Sequence, residues 1–296
     1  MYELMSLVKR NIKIFYRDKT AVFFSFLSVI ILLSLYILFL GKSFGDGITF
    51  LNPKLVSFLV TSQLMGGVLV INTLTLSLGV VGSFVTDMDL KRLDAFLVAP
   101  VKRYKIILSY YLAAVTVTLG FSLVMWFLTV IYVYIDSGYL YNLDTIVKVI
   151  LLLTFYTFIS SSFMIFITSF IKSVNAFGTL GGVLGTLIGF ATGIYIPLAS
   201  LGETVKKVAS IIPFTHMTIL LKQVMLSGPY DVLVNLQIAD VDMIEAKKQI
   251  AVYYGTNEVG LFGLDISLFV LMILSSALAV LLLAYTTYRI NKRMGR

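Results

Sequence analysis

The stretch that decides the fold runs from residue 55 to residue 86, LVSFLVTSQLMGGVLVINTLTLSLGVVGSFVT, and contains no Asp, Glu, Lys or Arg. Five further intervals lack all four of these residue types, namely 20–41, 106–135, 149–171, 173–202 and 266–288. Each of the six holds at least 22 residues, and a helix needs about 20 to cross about 30 Å of membrane hydrocarbon. The intervals are apolar at odd and even positions alike, whereas membrane-barrel strands alternate in polarity. The sequence therefore predicts an all-α membrane protein with six transmembrane helices.

The distribution of charge predicts the orientation of these helices. One set of connecting segments (1–19, 87–105, 172 and 289–296) carries 15 Lys/Arg and 5 acidic residues, and the opposite set (42–54, 136–148 and 203–265) carries 8 and 10. The net charges are thus +10 and −2, which add up to the +8 of the whole chain. Because basic loops stay inside, both termini are expected in the cytoplasm. The basic surface faces anionic membrane lipids, and the charge requires no nucleic acid partner.

The breaks between the apolar intervals predict a single transmembrane domain over residues 1–296. Its membrane helices are expected at 20–40, 55–85, 106–134, 147–171, 176–196 and 265–288. The outer segment 197–263 precedes the sixth of them. We expect two short interfacial helices in it up to Leu226, followed by an exposed cap from Ser227 onward.

Residues 1–17 predict a helix that lies in the cytoplasmic interface. Apolar side chains recur at helical spacing, and the bases fall on the other side, so they would meet headgroup phosphates. The apolar residues are Leu4, Met5, Val8, Ile12, Phe15 and Tyr16, and the bases are Lys9, Arg10, Lys13 and Arg17.

Polar and small residues inside two of the predicted spans indicate close packing or a solvated path. In the second span the candidates for lining a path are Gln63, Asn72 and Thr73, although hydrogen bonding between helices is the commoner use of such residues. In the fifth span, five glycines share one face and would let another backbone approach closely. They are Gly178, Gly182, Gly185, Gly189 and Gly193, and the neighbour could belong to this chain or to a second copy.

The loop between the second and third spans predicts a short cytoplasmic helix over 87–101. Thr86 and Asp89 form a capping box, and Pro100 stops the helix. Four apolar residues share one of its faces, which suits either docking on a soluble partner or contact with the bilayer. They are Leu90, Leu93, Phe96 and Leu97.

This loop resembles the corresponding element of ABC-2 type permeases, the membrane subunits of bacterial ATP-binding-cassette (ABC) exporters. That element has an acidic stretch, a leucine-rich turn and a small residue before Pro-Val, which here are Asp87, Asp89, Leu93, Asp94, Leu97 and Ala99-Pro100-Val101. The usual Gly-Thr is replaced by Lys91-Arg92. The helix at 1–17, the glycine-rich fifth span and the outer segment with Pro197 and Pro213 also resemble the family.

The resemblance implies a transport subunit in the bacterial inner membrane without a motor of its own. A separate ABC ATPase subunit would bind ATP and Mg²⁺ and dock on Asp87, Asp89, Leu90, Leu93, Asp94, Phe96, Leu97 and Pro100. The chain has no G-x-x-x-x-G-K-[ST] phosphate-binding loop, so no cofactor is expected in it. A second permease, identical or paralogous, would complete the transporter. The family exports drugs, antimicrobial peptides, lipids and polysaccharide precursors, and among these the apolar helix faces and the lack of an ion relay favour a hydrophobic or amphipathic substrate, such as a drug, an antimicrobial peptide or a lipid-like molecule.

Two other classes of function are disfavoured by the sequence. An ion-coupled secondary transporter needs ionisable residues within the membrane, and the six charge-free intervals contain none. A membrane enzyme needs clustered acids or metal ligands, but the chain has one His and no Cys. We therefore expect no catalytic residue and no metal site.

Overall fold

The structure is a computed structural model that describes residues 2–20, 22–23, 27, 51–93, 101–191, 193, 202–236, 242–256 and 267–293. No strand occurs in this part of the chain, so the expected all-α class is confirmed. The helices with defined ends are α1 Tyr2–Arg17, α2 Pro53–Asp89, α3 Arg103–Ser137, α4 Leu143–Thr168, α5 Val174–Ala191, α6 Glu203–Ile211, α7 Pro213–Val234, α8 Met243–Tyr253 and α9 Leu268–Arg293.

Four of these helices, α2, α3, α4 and α9, are long and apolar enough to cross a membrane. The pair α6 and α7 would add a fifth crossing if it were one span, but it is bent by 96° at Ile212. The described part of the chain thus contains four or five candidate spans. Helix α5 corresponds to the predicted fifth span, and almost all of the predicted first span, 20–40, lies outside the described residues.

Helix α2 is the centre of the bundle. It begins at Pro53, where the Asn52 side chain accepts a hydrogen bond of 3.0 Å from the Lys54 amide. Proline is well placed at this position because the first amides of a helix have no partner within the helix. The 37 residues of α2 extend over about 55 Å, so it is longer than the hydrocarbon layer is thick. It packs against α1, α3, α4, α5 and α7.

Helix α9 lies at the edge of the bundle and has an apolar outer surface. It packs on α3, α4 and α7, while large apolar side chains on its other face are exposed, among them Phe269, Val280, Leu281 and Tyr288. Helices α3 and α4 also expose apolar residues, including Ile131, Ile135, Leu143 and Leu151. An apolar exterior of this extent is stable in lipid and would aggregate in water.

The segment 197–263, which the sequence predicts on the outer side, differs from its prediction in the residues that the structure describes. We expected short helices up to Leu226 and an exposed cap from Ser227, but α7 continues without a break from Pro213 to Val234. Its residues Tyr230 and Leu233 are buried. The helix runs antiparallel to α2, because Lys222 contacts Gly66 and Gly228 faces Phe58. The division at Leu226 was wrong, since packing on α2 holds the helix through Pro229.

Candidate functional site

The described structure has one cluster of charged side chains that joins three helices, and we call it the Asp87 junction (Asp87, Arg10, Tyr110 and Arg92). The Asp87 side chain is only 3% exposed, at the end of α2. Arg10 Nη2 of α1 donates to Asp87 Oδ2 over 2.8 Å, and the Tyr110 hydroxyl of α3 donates to the same oxygen over 2.6 Å. Arg92 Nη1 lies 3.7 Å from Asp87 Oδ1. The buried carboxylate is thus neutralised by two guanidinium groups and solvated by a hydroxyl.

Neighbouring polar side chains extend the junction along α1 and α3. Arg10 Nη1 donates to Asn11 Oδ1 over 2.8 Å, and Asn11 Nδ2 donates to Ser109 Oγ over 3.0 Å. Burial acts to lower the pKa of Arg10, but the hydrogen bond to Asp87 and the nearby charges outweigh it, so the pKa is raised. Arg10 therefore stays charged, and α1 is fixed to both α2 and α3.

The chain reverses direction immediately after α2. The amides of Arg92 and Leu93 donate to the Asp87 carbonyl over 2.9 and 3.3 Å, and Lys91 has a left-handed backbone with φ of 54°. Leu93 is buried in the apolar cluster that contains Phe84 and Ile107. The same residue, Asp87, thus holds α1 and α3 with its side chain and the following turn with its carbonyl.

The predicted capping box at Thr86 and Asp89 was wrong. Helix α2 continues through both residues to Asp89, and Thr86 Oγ1 donates back to the Gly82 carbonyl over 3.1 Å. This internal hydrogen bond belongs to the body of a helix and not to its start. The second span therefore extends four residues beyond the predicted end at 85.

The predicted docking residues separate into a buried and an exposed group. Asp87 and Leu93 are buried within the chain, so they cannot form a docking surface as expected. Asp89 and Leu90 are exposed, and Asp89 Oδ2 accepts a hydrogen bond of 3.1 Å from the Val174 amide at the start of α5. The remaining docking candidates, Asp94, Phe96, Leu97 and Pro100, lie outside the described residues.

The polar residues of the second span are buried between helices. Thr73 Oγ1 lies 2.9 Å from Ser160 Oγ of α4, and Asn72 Nδ2 donates to Ser122 Oγ of α3 over 3.5 Å. Gln63 is buried as well, and its Oε1 has no hydrogen-bond partner in the described chain. Asn72 and Thr73 therefore bond to neighbouring helices, which is the commoner of the two uses considered for them, and none of the three lines an open path in this structure.

The glycine face of α5 is open at three of its five positions in the described part of the chain, and Gly189 and Gly193 are buried. A Cβ atom at Gly178, Gly182 or Gly185 would meet no described atom within 4 Å. Gly193 follows the helix with φ of 72°, and Gly189 lies within it. At Gly178, Gly182 and Gly185 the predicted close neighbour is therefore not among the described residues, whereas the Gly193 carbonyl accepts a hydrogen bond from Lys222 of α7.

Lys222 is, like Asp87, an ionisable residue whose burial the sequence did not indicate. It lies in α7, which we expected at the outer surface, and it is 3% exposed. Its Nζ donates to the Gly193 carbonyl over 3.0 Å, and no described carboxylate lies within ion-pair distance. The one sequence signal was its position within an apolar stretch, TILLKQVML.

Possible metal ligands are dispersed in the described chain. No group of three His, Cys, Asp or Glu side chains comes together there. His216 is buried, with its Nε2 atom 2.7 Å from the Ser210 carbonyl oxygen. This contact secures α6 to α7.

Long apolar helices with a lipid-compatible exterior and a charged junction at one end define a multi-pass membrane protein. A family model for ABC-2 type transporters matches residues 2–226, which is 225 of the 296 residues, so the chain belongs to the ABC-2 type transporter family. No match was found among curated proteins. The chain is therefore a permease, that is, a transport subunit. Permeases of this family generally work with an ABC ATPase subunit.

Proposed function

We propose that the chain is the transmembrane permease subunit of an ATP-driven ABC exporter in the bacterial inner membrane, with both termini in the cytoplasm. The observation that carries the proposal is the family match over residues 2–226, which includes the Asp87 junction and the exposed turn after α2. A separate ATPase subunit would bind ATP and Mg²⁺. The charge asymmetry of the loops supports the orientation.

The exposed turn after α2 is suited to receive the ATPase subunit. Leu90 is 55% exposed, beside exposed Asp89, Lys91 and Arg92. Arg92 reaches the Asp87 carboxylate, and Asp89 bonds to the start of α5. A displacement of this turn would therefore act on α1, α2, α3 and α5 together. Asp94, Phe96, Leu97 and Pro100 would continue the docking surface along the chain.

Two permease copies, identical or paralogous, would form the transport pathway between them by alternating access. The open part of the glycine face of α5, at Gly178, Gly182 and Gly185, would allow a second backbone to approach. We propose a hydrophobic or amphipathic substrate, such as a drug, an antimicrobial peptide or a lipid-like molecule, because the helices present apolar surfaces to their surroundings.

Replacement of Leu90 by Asp tests the docking surface. Co-purification with a candidate ABC ATPase from the same organism should fall at least tenfold, because a charge would replace an apolar contact at an interface. The matched control is Ile244→Asp on α8, since Ile244 is 60% exposed and lies on the proposed outer side. Equal co-purification of wild type and Leu90→Asp, or an equal loss in the control, would remove the turn as the docking site.

Lys222 favours one other candidate, an ion-coupled secondary transporter. A buried ionisable side chain is the feature that such transporters use and that the charge-free intervals lacked. Reconstitution of the chain alone, with an imposed proton or sodium gradient, separates the two functions. Substrate flux driven by the gradient and lost in Lys222→Met would favour the secondary transporter, whereas flux that requires an ATPase and ATP favours the exporter.

A further inference from the structure

Helix α5 lies antiparallel on α2, and the register of the two helices can be followed along their contact. A Cβ at Gly82 would meet the ring of Phe177 at 2.8 Å, and a Cβ at Gly181 would lie 3.7 Å from Leu78 Cδ2. A step of four residues back along α2 is thus matched by a step of four forward along α5. This register fixes which residues of the two helices face each other further along.

Lys222 lies where the same register brings Gly193, which follows α5, beside Gly66 of α2. A Cβ at Gly66 would be 2.9 Å from Lys222 Cγ, and Lys222 Nζ donates to the Gly193 carbonyl over 3.0 Å. An ammonium has three N–H donors, and among the described residues only this one has an acceptor. Lys222 therefore brings a buried positive charge with two further donors to the end of α5.

A second buried polar group lies one turn away on the same face of α2. Gln63 precedes Gly66 by three residues, and residues at this spacing are neighbours on a helix. The Gln63 side chain is buried, and its Oε1 has no hydrogen-bond partner in the described chain. Buried polar groups nearly always have a partner. This end of the contact between α2 and α5 is therefore suited to a polar group of a ligand.

An apolar crevice lies between α2, α4 and α5 along the same face of α2. Its volume of about 20 Å³ makes it almost closed in this structure. The one polar side chain in its lining, Thr75, bonds to carbonyls of its own helix. Helix α5 packs on α2 and α6 and is open at three of its glycines, so a shift of α5 away from α2 would widen the crevice. The apolar lining includes Ile71, Leu74, Leu78, Met164, Leu184 and Ile188.

The crevice leads away from the polar end that holds the ammonium. Ile71 is five residues from Gly66, and Ile188 is five residues from Gly193, which is about 7 Å along either helix. The far end of the crevice at Leu78 lies about 18 Å from the level of Gly66. The two helices thus place a narrow apolar channel directly beyond a buried positive charge.

We propose that Lys222 and the crevice bind an amphiphile with an anionic head and a single apolar chain. The Lys222 ammonium and the Gln63 amide would take the head, and α2, α4 and α5 would enclose the chain. Charge complementarity selects an anion, because no described carboxylate lies within ion-pair distance of Lys222. An ionisable residue buried in a membrane bundle is typical of a substrate pathway. The proposal names the class of substrate and so rests on the proposed function of the chain as a permease.

Binding of dodecyl phosphate to the purified full chain, without ATPase or ATP, tests the ammonium. Radiolabelled dodecyl phosphate is bound in a neutral detergent and measured by scintillation proximity. Lys222→Met should lower the affinity at least tenfold, because a charge-assisted contact is lost. The control Lys207→Met has the same change in charge at an exposed position of α6 and should bind as wild type does. Because Lys222→Met removes a buried charge, we expect it to fold at least as stably as wild type.

Filling the crevice tests the apolar part of the site. Gly181→Leu places a side chain beside Leu78 and should weaken binding of dodecyl phosphate, whereas Gly120→Leu on α3, where a Cβ meets no described atom within 4 Å, should not. Unlabelled dodecanol and inorganic phosphate should each compete at least tenfold less well than dodecyl phosphate, because each supplies only half of the ligand.

Four results would overturn the proposal. Equal binding by wild type and Lys222→Met would remove the ammonium, and equal binding by Gly181→Leu would remove the crevice. Competition by inorganic phosphate as strong as that by dodecyl phosphate would indicate a site for small anions. Displacement of the label by equimolar phosphatidylglycerol would indicate a resident membrane lipid. Each of these results leaves the proposed exporter standing, whereas transport without ATP by a chain that binds dodecyl phosphate as expected would remove the exporter alone.

Discussion

Asp87 carries a negative charge in a place where solvent cannot stabilise it, and its neighbours do so instead. The contacts at 2.8 Å from Arg10 and 2.6 Å from Tyr110 are short, charge-assisted hydrogen bonds, which are roughly twice as strong as neutral ones. A buried carboxylate that loses such partners remains in the protein interior without compensation. The residue therefore adds a polar link between three helices that also share an apolar cluster.

Asp87→Asn should lower the free energy of unfolding by about 2 to 3 kcal/mol, because it leaves Arg10 without its counter-charge while Arg10 is still partly solvated. Arg10 is 31% exposed, which limits the loss. Thermal or denaturant unfolding in detergent measures the effect. Asp144→Asn is the control, since the Asp144 side chain is 70% exposed in its pair with Lys148 and should change stability by less than about 0.5 kcal/mol.

The double variant Arg10→Gln/Asp87→Asn tests whether the two side chains act as a pair. Residues in direct contact couple, so the loss in the double variant should be smaller than the sum of the two single losses by at least about 1 kcal/mol. Strictly additive losses would show that the contact between Arg10 and Asp87 contributes no stability of its own.

Lys222→Met should raise the thermal unfolding midpoint in detergent. The ammonium is buried with a carbonyl as its partner, and one neutral acceptor does not offset the desolvation of a charge. Met keeps the apolar length of the side chain, so we expect a gain of about 1 kcal/mol or more. The control Lys207→Met changes an exposed residue of α6 and should have little effect. A loss of stability in Lys222→Met would show that the ammonium is held by more than the Gly193 carbonyl.

At the scale of elements, the contact between α2 and α7 decides how α7 packs on the bundle. The two backbones approach closely at Gly66, where an added Cβ would lie 2.9 Å from Lys222 Cγ and 3.0 Å from Lys222 Cα. Any larger residue there would force one of the two helices to shift, because the nearest atoms include the backbone of Lys222. The same contact sets the depth of α7 against α2, and with it the position of Lys222.

Gly66→Ala should destabilise the protein by about 1 to 3 kcal/mol, because the new methyl group would overlap the backbone of α7. Gly120→Ala on α3 is the control, since a Cβ at Gly120 meets no described atom within 4 Å. That substitution should stabilise by up to about 1 kcal/mol through helix propensity. Opposite signs in the unfolding midpoints are the expected result, and a neutral Gly66→Ala would mean that α2 and α7 can separate freely.

At the scale of the whole molecule, the direction in which α9 crosses the membrane depends on the bent pair α6 and α7. If both ends of this pair return to the outer side, α8 is outside and the C-terminus is cytoplasmic. If the pair crosses the membrane, α8 and the C-terminus exchange sides. The bend of 96° and the antiparallel packing of α7 on α2 favour the first arrangement.

Single-cysteine labelling distinguishes the two arrangements directly, because the chain contains no Cys. A membrane-impermeant maleimide applied to intact cells should label Glu245→Cys on α8, which is exposed. Lys172→Cys, exposed between α4 and α5, should be labelled only after permeabilisation. Labelling of Glu245→Cys only after permeabilisation would establish the pair α6 and α7 as a crossing and reverse α9.

The sequence determined the class of the protein and most of its long helices, because a run of more than 20 residues without charge has one stable form in lipid. It also indicated Asp87 as an important residue, through the resemblance of its loop to the docking element of ABC-2 type permeases. It could not show that the partner was Arg10, which is 77 residues away along the chain. Asp87 was therefore assigned to a docking surface, whereas its charge is used inside the protein.

Only the tertiary structure shows which segments that are far apart in the sequence come into contact. Local sequence favoured a break near Ser227, but α7 continues to Val234 because it packs on α2. Local sequence also favoured a helix start at Thr86, but α2 continues past that residue and ends in the turn held by the Asp87 carbonyl. The sequence predicted that Lys222 lies in an outer segment. In the structure Lys222 is buried, because the glycine at position 66 allows α7 to pack beside α2. Hydrophobicity and charge determine which segments enter the membrane because each acts locally, whereas pairing and burial depend on which distant side chains are brought into contact.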